Sequence, residues 1–406
     1  MSTVLFMAEA ATLAHVARPL FLAGCLDSAR HRVLLACDPR TRWLTGKYPF
    51  ETLPLPSQSS ERFIEALAKG RPLYDTATLE GYVRDDLATI ERAQPDLVVG
   101  DFRLSLSVSA RLAKVPYLAI ANAYWSPWAR VRYRVPSLPL TRLLPIAVAD
   151  ALFNLARPAA FAYHCLPLER VRRRHGLPSL GFDLRRVYCD GDQVLYADLP
   201  ELFPLRDAPP EHRFLGPIVW SPPLTPPAWW DSAGDEKPIV YVTLGSSGVA
   251  DLLPGLLAAL ASLPVTVLVA TAGHGLAGPV PANALVADYL PGEEAARRSR
   301  LVICNGGSPT SQQALAAGVP VIGIATNLDQ FLNMAAIEAA GAGLTLRADR
   351  FAAARLREAA MALLRSPRAT ESARRLRGAC EAHDARRNFR EIMNNLPTRH
   401  TKGGPS

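Results

Sequence analysis

A rhythm of short apolar runs alternating with helical stretches, met once in each half of the chain, constrains the fold more than any other feature. Val4–Phe6, Arg32–Ala36 (RVLLA), Asp96–Gly100 (DLVVG) and Tyr117–Ala121 (YLAIA) form the first series, with helices predicted over Arg18–Leu26, ending near Ala93, and over Leu104–Leu112. Ile239–Leu244 (IVYVTL), Val265–Ala270 (VTVLVA), Leu301–Cys304 and Val319–Ala325 form the second, with helices over Leu252–Leu263, from Pro309, over Arg350–Arg365 and from Pro367 to about Asn395 with a break at Gly378. Strands that alternate with helices fold as a parallel, doubly wound sheet covered on both faces. The rhythm lapses between about residues 124 and 215, and Leu199–Lys237 is rich in proline (PELFPLRDAPP, SPPLTPPAWW), which suits a stiff, extended connection. A single core stops growing near roughly 250–300 residues, and this chain has 406. The expected architecture is therefore α/β, with two Rossmann-like doubly wound domains facing a cleft. The expected division is 1–215, a proline-rich linker over 216–236, a second domain over 237–378, and a terminal helix with a loose tail over 379–406.

Composition narrows the classes. A hydrophobic fraction of 49% excludes a disordered chain. No apolar run approaches the ~18 residues of a spanning helix, and the first basic residues are His15 and Arg18, so no signal peptide is expected. The six cysteines (25, 37, 165, 189, 304, 380) show no CxxC spacing and read as buried thiols of a reducing compartment, which places the chain in the cytoplasm. The formal charge of +8, with arginines at 130, 132 and 134 and at 170 and 172–174, is compatible with phosphate-bearing substrates or peripheral contact with an anionic membrane. No nucleic-acid-binding signature accompanies it, so nucleic acid is not an expected partner.

Chemistry concentrates in the second half. Leu301-Val-Ile-Cys-Asn305-Gly306-Gly307-Ser308-Pro309-Thr310 is a strand, a Gly-Gly turn and a helix start, with Ser308 expected as N-cap and Pro309 as the first helical residue. Free backbone N–H groups and the positive end of a helix dipole make such a turn a ready anion site. Gly245-Ser246-Ser247-Gly248 repeats the arrangement after Ile239–Leu244. Paired turns of this kind suit a diphosphate. Asn327-Leu-Asp329-Gln330 follows the strand Val319–Ala325, where a carboxylate and an amide suit sugar hydroxyls.

The order GSSG, Asp288-Tyr289-Leu290-Pro291, NGGSPTSQQALAAGVP, DQ-FLN and Gly341-Ala-Gly343 resembles the family 1 glycosyltransferases, the UDP-glycosyltransferases. The resemblance implies the GT-B fold, with a nucleotide-sugar donor in the second domain and a small-molecule or lipid acceptor in the first. It places Ser246 on the diphosphate, Tyr289 on the base, Asn305, Gly306, Gly307, Ser308 and Thr310 on the phosphates, Gln313 near the ribose, and Asp329 and Gln330 on the sugar. The family's His-Gly-Gly is Asn305-Gly306-Gly307 here, and its ribose-binding Glu is Gln313, which opens base and sugar selectivity. The DQ pair suggests a UDP-hexose.

The same resemblance makes His15, in Ala14-His15-Val-Ala-Arg18-Pro19, a general base that takes the acceptor proton. Asp101, just beyond DLVVG, is expected to orient its imidazole. Asn122, Tyr124 and Trp125, after YLAIA, are expected to line an acceptor pocket for a hydrophobic alcohol, phenol or lipid. The expected reaction is metal-independent transfer with inversion, needing no cofactor beyond the sugar donor. Two other functions fit the scaffold. One is a non-catalytic partner that activates a transferase, suggested by the substitutions at 305 and 313. The other is a nucleotide-sugar epimerase.

Overall fold

The structure, a computed structural model, describes residues 1–234, 236–245 and 248–395. They form two compact units. The first unit is a seven-stranded parallel sheet built from β1 (Ser2–Ala8), β2 (His31–Cys37), β3 (Glu51–Pro54), β4 (Leu97–Asp101), β5 (Tyr117–Ala121), β6 (Gln193–Tyr196) and β7 (His212–Phe214), in the order β3-β2-β1-β4-β5-β6-β7. The second is a six-stranded parallel sheet of β8 (Ile239–Thr243), β9 (Thr266–Ala270), β10 (Ala284–Ala287), β11 (Leu301–Cys304), β12 (Val321–Ala325) and β13 (Gly343–Arg347), in the order β10-β9-β8-β11-β12-β13. All registered pairs are parallel. The central strands β4, β5, β8 and β12 are buried along their whole length, as strands covered by helices on both faces must be.

In each sheet the strand order reverses once, between β1 and β4 in the first and between β8 and β11 in the second. At such a switch point the connections leave in opposite directions and open a crevice at the carboxyl ends of the strands. The apolar side chains of Val240, Val242, Leu256, Leu301, Ile303 and Ile322 close the core that fixes the second crevice. Each such fully buried side chain contributes about 1.5–3 kcal/mol.

The units exchange segments that the sequence reading kept contiguous. Residues 131–155 group with the second unit, and those from His383 onward with the first. The first exchange has a polar cause: the Arg347 guanidinium donates to the carbonyls of Val135 (2.7 Å) and Pro136 (3.1 Å), and Arg350 to that of Thr141 (2.7 Å). The second has an apolar one, because Phe389 on the helix Ala385–Asn395 packs against Phe6 of β1 at 6.2 Å between ring centroids. The last helices break between Ala382 and Ala385 rather than at Gly378. Residues 396–406, expected as a loose tail, lie outside the described residues. None of the six cysteines forms a disulfide, and all but the half-buried Cys380 are buried. No helix among the described residues is long and apolar enough to cross a membrane.

Candidate functional site

The second switch point gathers the expected phosphate-binding turns. Gly245 follows β8 with φ +61, and a Cβ built on it lies 3.6 Å from Asn305 Nδ2, so the turns after β8 and β11 face one another closely. Ser246 lies outside the described residues. Asn305 is buried, and its Oδ1 accepts from Gly307 N at 3.0 Å, closing the turn on itself. Gly306 adopts φ +81, a conformation that costs an L-residue roughly 1–2 kcal/mol. The helix Ser308–Ala316 starts one residue earlier than expected: Gly307 is its N-cap, Ser308 its first residue and Thr310 lies in its first turn. Ser308 is therefore not the cap, yet the helix end still presents backbone N–H groups and a positive dipole to the crevice.

Asn333 was not singled out as a site residue. Its Nδ2 donates to Gly306 O and Ser311 Oγ, both at 2.8 Å, and so ties the turn to the neighbouring helix Leu328–Ala339. An amide one helical turn after DQ is its only mark in the sequence.

The remaining expected donor residues lie on the same carboxyl edge. Tyr289, after β10, is 46% exposed and donates its hydroxyl to Ala272 O (3.3 Å), leaving its ring open to solvent. Gln313 is half-buried, with Nε2 donating to Trp220 O at 2.6 Å and Ser221 Oγ at 3.3 Å, so its amide is committed to the segment before β8. Asp329 is half-buried in the first turn of Leu328–Ala339. Half of the Gln330 amide is engaged locally. It is buried, and its Oε1 accepts from Thr326 N (2.7 Å) and Asn327 N (3.3 Å) in a capping box with Asn327, so its carbonyl oxygen is bound to its own helix start. Only Nε2 of this amide lacks a hydrogen-bond partner among the described residues.

At the first switch point His15 lies in the first turn of the helix Leu13–Ala23, after β1. Its Nδ1 is 3.1 Å from Thr12 Oγ1, and its ring stacks on Phe102 at 4.6 Å and 7° between planes. Phe102, directly after β4, holds φ +57, an uncommon conformation for an aromatic residue. It continues into a row of rings, Tyr188 at 5.0 Å from Phe102 and Trp125 at 4.9 Å from Tyr188. Burial, helped by the Arg18 charge, holds the His15 imidazole well below the usual histidine range.

The expected carboxylate–histidine pair is not formed. Both oxygens of Asp101, the last residue of β4, are held by Arg18, from Nε at 2.6 Å and Nη2 at 2.8 Å. Burial pushes its carboxyl up to about 6 against the pull of Arg18. Arg18, one helical turn after His15, is long enough to reach β4 and takes the position expected for the imidazole. Asn122 belongs to the same chain: its Oδ1 accepts from Arg18 Nη1 (2.9 Å) and its Nδ2 donates to Asp198 (3.1 Å). Its amide thus serves this buried network rather than a pocket wall. Tyr124 is fully buried against Phe203, in core packing, while Trp125 is 9% exposed beside Tyr188.

Sequence reasoning passed over Glu9, the first residue beyond β1. It is fully buried with Arg103 and Asp86, whose ion pairs span 3.3 Å and 3.0 Å, and Arg103 also lies 3.7 Å over the Tyr82 ring. Burial pushes its carboxyl up to about 7. Its signal was a lone carboxylate directly after an apolar strand, the same position relative to β1 that drew attention to Asp101 beside β4.

Among the described residues no group of three or more His, Cys, Asp or Glu side chains forms a metal-ligand set. Comparison with known proteins fits this layout. Residues 255–396 match the family described as Erythromycin biosynthesis protein CIII-like, C-terminal domain. The chain is 54% identical over 373 residues to a PGL/p-HBAD biosynthesis glycosyltransferase of Mycobacterium tuberculosis (strain ATCC 25177 / H37Ra), covering 92% of this chain and 87% of that protein. It is also 54% identical over 376 residues to a PGL/p-HBAD biosynthesis rhamnosyltransferase of Mycobacterium bovis (strain BCG / Pasteur 1173P2), covering 93% and 84%. The solved structure of glycosyltransferase VinC in complex with dTDP superposes with a TM-score of 0.69 at 18% identity, covering 97% of this chain and 98% of that one, and shares its fold, GT-B. With more than half its residues shared over nine-tenths of its length, this chain belongs to the family 1 glycosyltransferases and is a sugar-transferring enzyme.

Proposed function

We propose that this enzyme moves a hexose from a pyrimidine nucleoside diphosphate to a hydroxyl of a hydrophobic acceptor, by direct displacement with inversion and with His15 as general base. The observation that carries the proposal is the stacking of His15 on Phe102 with Nδ1 turned to Thr12. If Nδ1 holds the proton and donates to Thr12 Oγ1, Nε2 keeps a lone pair for the acceptor hydroxyl. Thr12 then anchors Nδ1 and holds the ring's orientation, the part first expected of Asp101. The acceptor oxygen bonds to the anomeric carbon as the bond from that carbon to the diphosphate oxygen breaks, and the proton passes to Nε2.

The acceptor class follows from base strength. An imidazole held well below its usual range is neutral at pH 7 but a weak base. A phenol, with an ordinary pKa near ~10, is a better match for it than an aliphatic alcohol, and the rings of Phe102, Tyr188 and Trp125 suit an aromatic acceptor.

On the donor side, the turns at Gly245 and Gly306–Ser308, with Ser246 and Thr310, meet the diphosphate charge, so no metal is needed. Tyr289 stacks on the base, and Asp329 with Gln330 Nε2 reaches the sugar. UDP-hexose was the expectation, but a second reading, a dTDP-linked 6-deoxyhexose, has specific support. One relative is named a rhamnosyltransferase, and a neighbour in fold was solved with dTDP. The amide nitrogen of Gln313 is already committed to Trp220, which suits a deoxyribose that offers one hydroxyl fewer. The names of the relatives that match over nine-tenths of this chain favour transfer over the epimerase and auxiliary readings, although a relative matched over 257 residues at 52% identity is named an inactive glycosyltransferase. The test offers the purified chain UDP-glucose or dTDP-rhamnose, a para-substituted phenol and EDTA, and measures nucleoside diphosphate release and the anomeric configuration of the product. Release with an inverted product supports the proposal. No product from either donor, retention at the anomeric carbon, or loss in EDTA restored by magnesium overturns it.

A further inference from the structure

We propose that the segment Pro139–Leu155 docks this enzyme on an anionic lipid surface. Leu143 and Leu155 are each 82% exposed, with Val148 at 45% and Leu152 at 44%. Val148, Leu152 and Leu155 are spaced by four and three residues on the helix Ile146–Arg174 and therefore share one face, with Ala151 exposed among them. The two polar side chains of this stretch are turned away from that face. Asp150 Oδ1 accepts from Val135 N at 2.6 Å, and Asn154 Nδ2 donates back to Asp150 O at 2.9 Å and to Tyr133 O at 3.3 Å. The outward face of this helical stretch is thus apolar.

The segment is also firmly held. Arg350 Nη2 donates to Leu144 O (2.7 Å) and Thr141 O (2.7 Å), and Thr141 Oγ1 donates to Asp349. The leucines therefore stay in water on a fixed support, a position that soluble surfaces rarely give to several large apolar side chains together.

Charge identifies the occupant. Residues 131–160 carry arginines at 132, 134, 142 and 157 and a single acidic residue, Asp150. Arg134 is paired with Glu338 at 2.8 Å, whereas Arg132 and Arg142 are exposed. An apolar helix face flanked by exposed arginines and free of exposed acids complements a bilayer with anionic headgroups, the leucines entering the acyl boundary and the arginines meeting phosphate. A protein partner would need a surface both apolar and acidic, and a second copy would set Arg132 and Arg142 near their own duplicates.

Co-sedimentation of the full chain with phosphatidylcholine vesicles, with and without phosphatidylglycerol, tests this. The wild type is expected on the mixed vesicles, with binding that weakens as salt rises. Leu152→Glu with Leu155→Glu should lower binding by roughly tenfold or more, and Arg142→Glu should lower it on the anionic vesicles alone. Because these side chains are exposed, melting curves of the variants should match the wild type, and a variant that fails this control is replaced by Leu155→Gln. Equal wild-type binding to both vesicle types, undiminished binding by the folded leucine variants, or a wild-type dimer abolished by those variants would each overturn the proposal.

Discussion

Gly306→Ala tests the packing of the donor turn. A Cβ added at Gly306 falls 2.8 Å from Met334 Cγ, 3.5 Å from Gly323 Cα and 3.7 Å from Gln330 Cβ, at a residue whose φ is +81. Two costs add. The left-handed conformation costs an L-residue roughly 1–2 kcal/mol, and overpacking a dense core costs about 1–3 kcal/mol. The expected loss is therefore about 2–5 kcal/mol, read from urea unfolding followed by a probe in the second sheet. Nucleotide affinity should fall as well, because the displaced Gly306 carbonyl leaves Asn333 Nδ2. Met334→Ala separates the two costs: in the double variant the steric part is relieved and the conformational part remains. A double-mutant cycle should therefore show a coupling of about 1–3 kcal/mol. A single-variant loss below about 1 kcal/mol, or strict additivity with Met334→Ala, would refute the claim that this turn is held in place by packing against that side chain.

Thr12→Val removes the hydroxyl that faces His15 Nδ1; kcat should fall roughly tenfold or more with donor affinity intact, and Thr12→Ser should restore it. Wild-type kcat in the valine variant would exclude Thr12 from orienting the base. Glu9→Gln addresses a buried carboxyl raised to about 7. A raised folded-state pKa gives a contribution that is full below the unfolded value and lost as pH rises through the folded one. The melting temperature of Glu9→Gln relative to wild type should therefore climb between pH 5 and pH 8, and a constant difference would contradict the assignment.

The strands at the centre of each sheet were legible because they are fully apolar: Tyr117–Ala121 and Leu301–Cys304 carry the same bounds in sequence and structure. Edge strands were not. Glu51–Pro54 buries only Leu53, and Gly343–Arg347 only Gly343, so neither shows a run of apolar residues. The helix holding His15 starts at Leu13 rather than at Arg18, and it carries Pro19 in its interior rather than in its first turn. The carboxyl-edge positions of Glu9, His15, Asp101 and the Gly306 turn follow from parallel topology, which the alternation of strands and helices reveals. Pairing within the site does not, since Asp101 has both His15 and Arg18 within reach of one helix, and side-chain length decided between them. The burial of Tyr124 and Gln330 is likewise a tertiary outcome, invisible in residues that suit a surface equally well.

The most direct test of the account is the pH dependence of kcat/KM for wild type and His15→Ala with a phenolic acceptor. His15 must be neutral to accept a proton, and its pKa is depressed by burial and by Arg18, so wild-type activity should hold through pH 7 and fall only below the usual histidine range. His15→Ala should lose about 10²–10⁴ of the rate, keep its nucleotide affinity and lack that acid limb. Near-wild-type turnover in His15→Ala, or an unchanged acid limb in its residual activity, would contradict the assignment of His15 as the base.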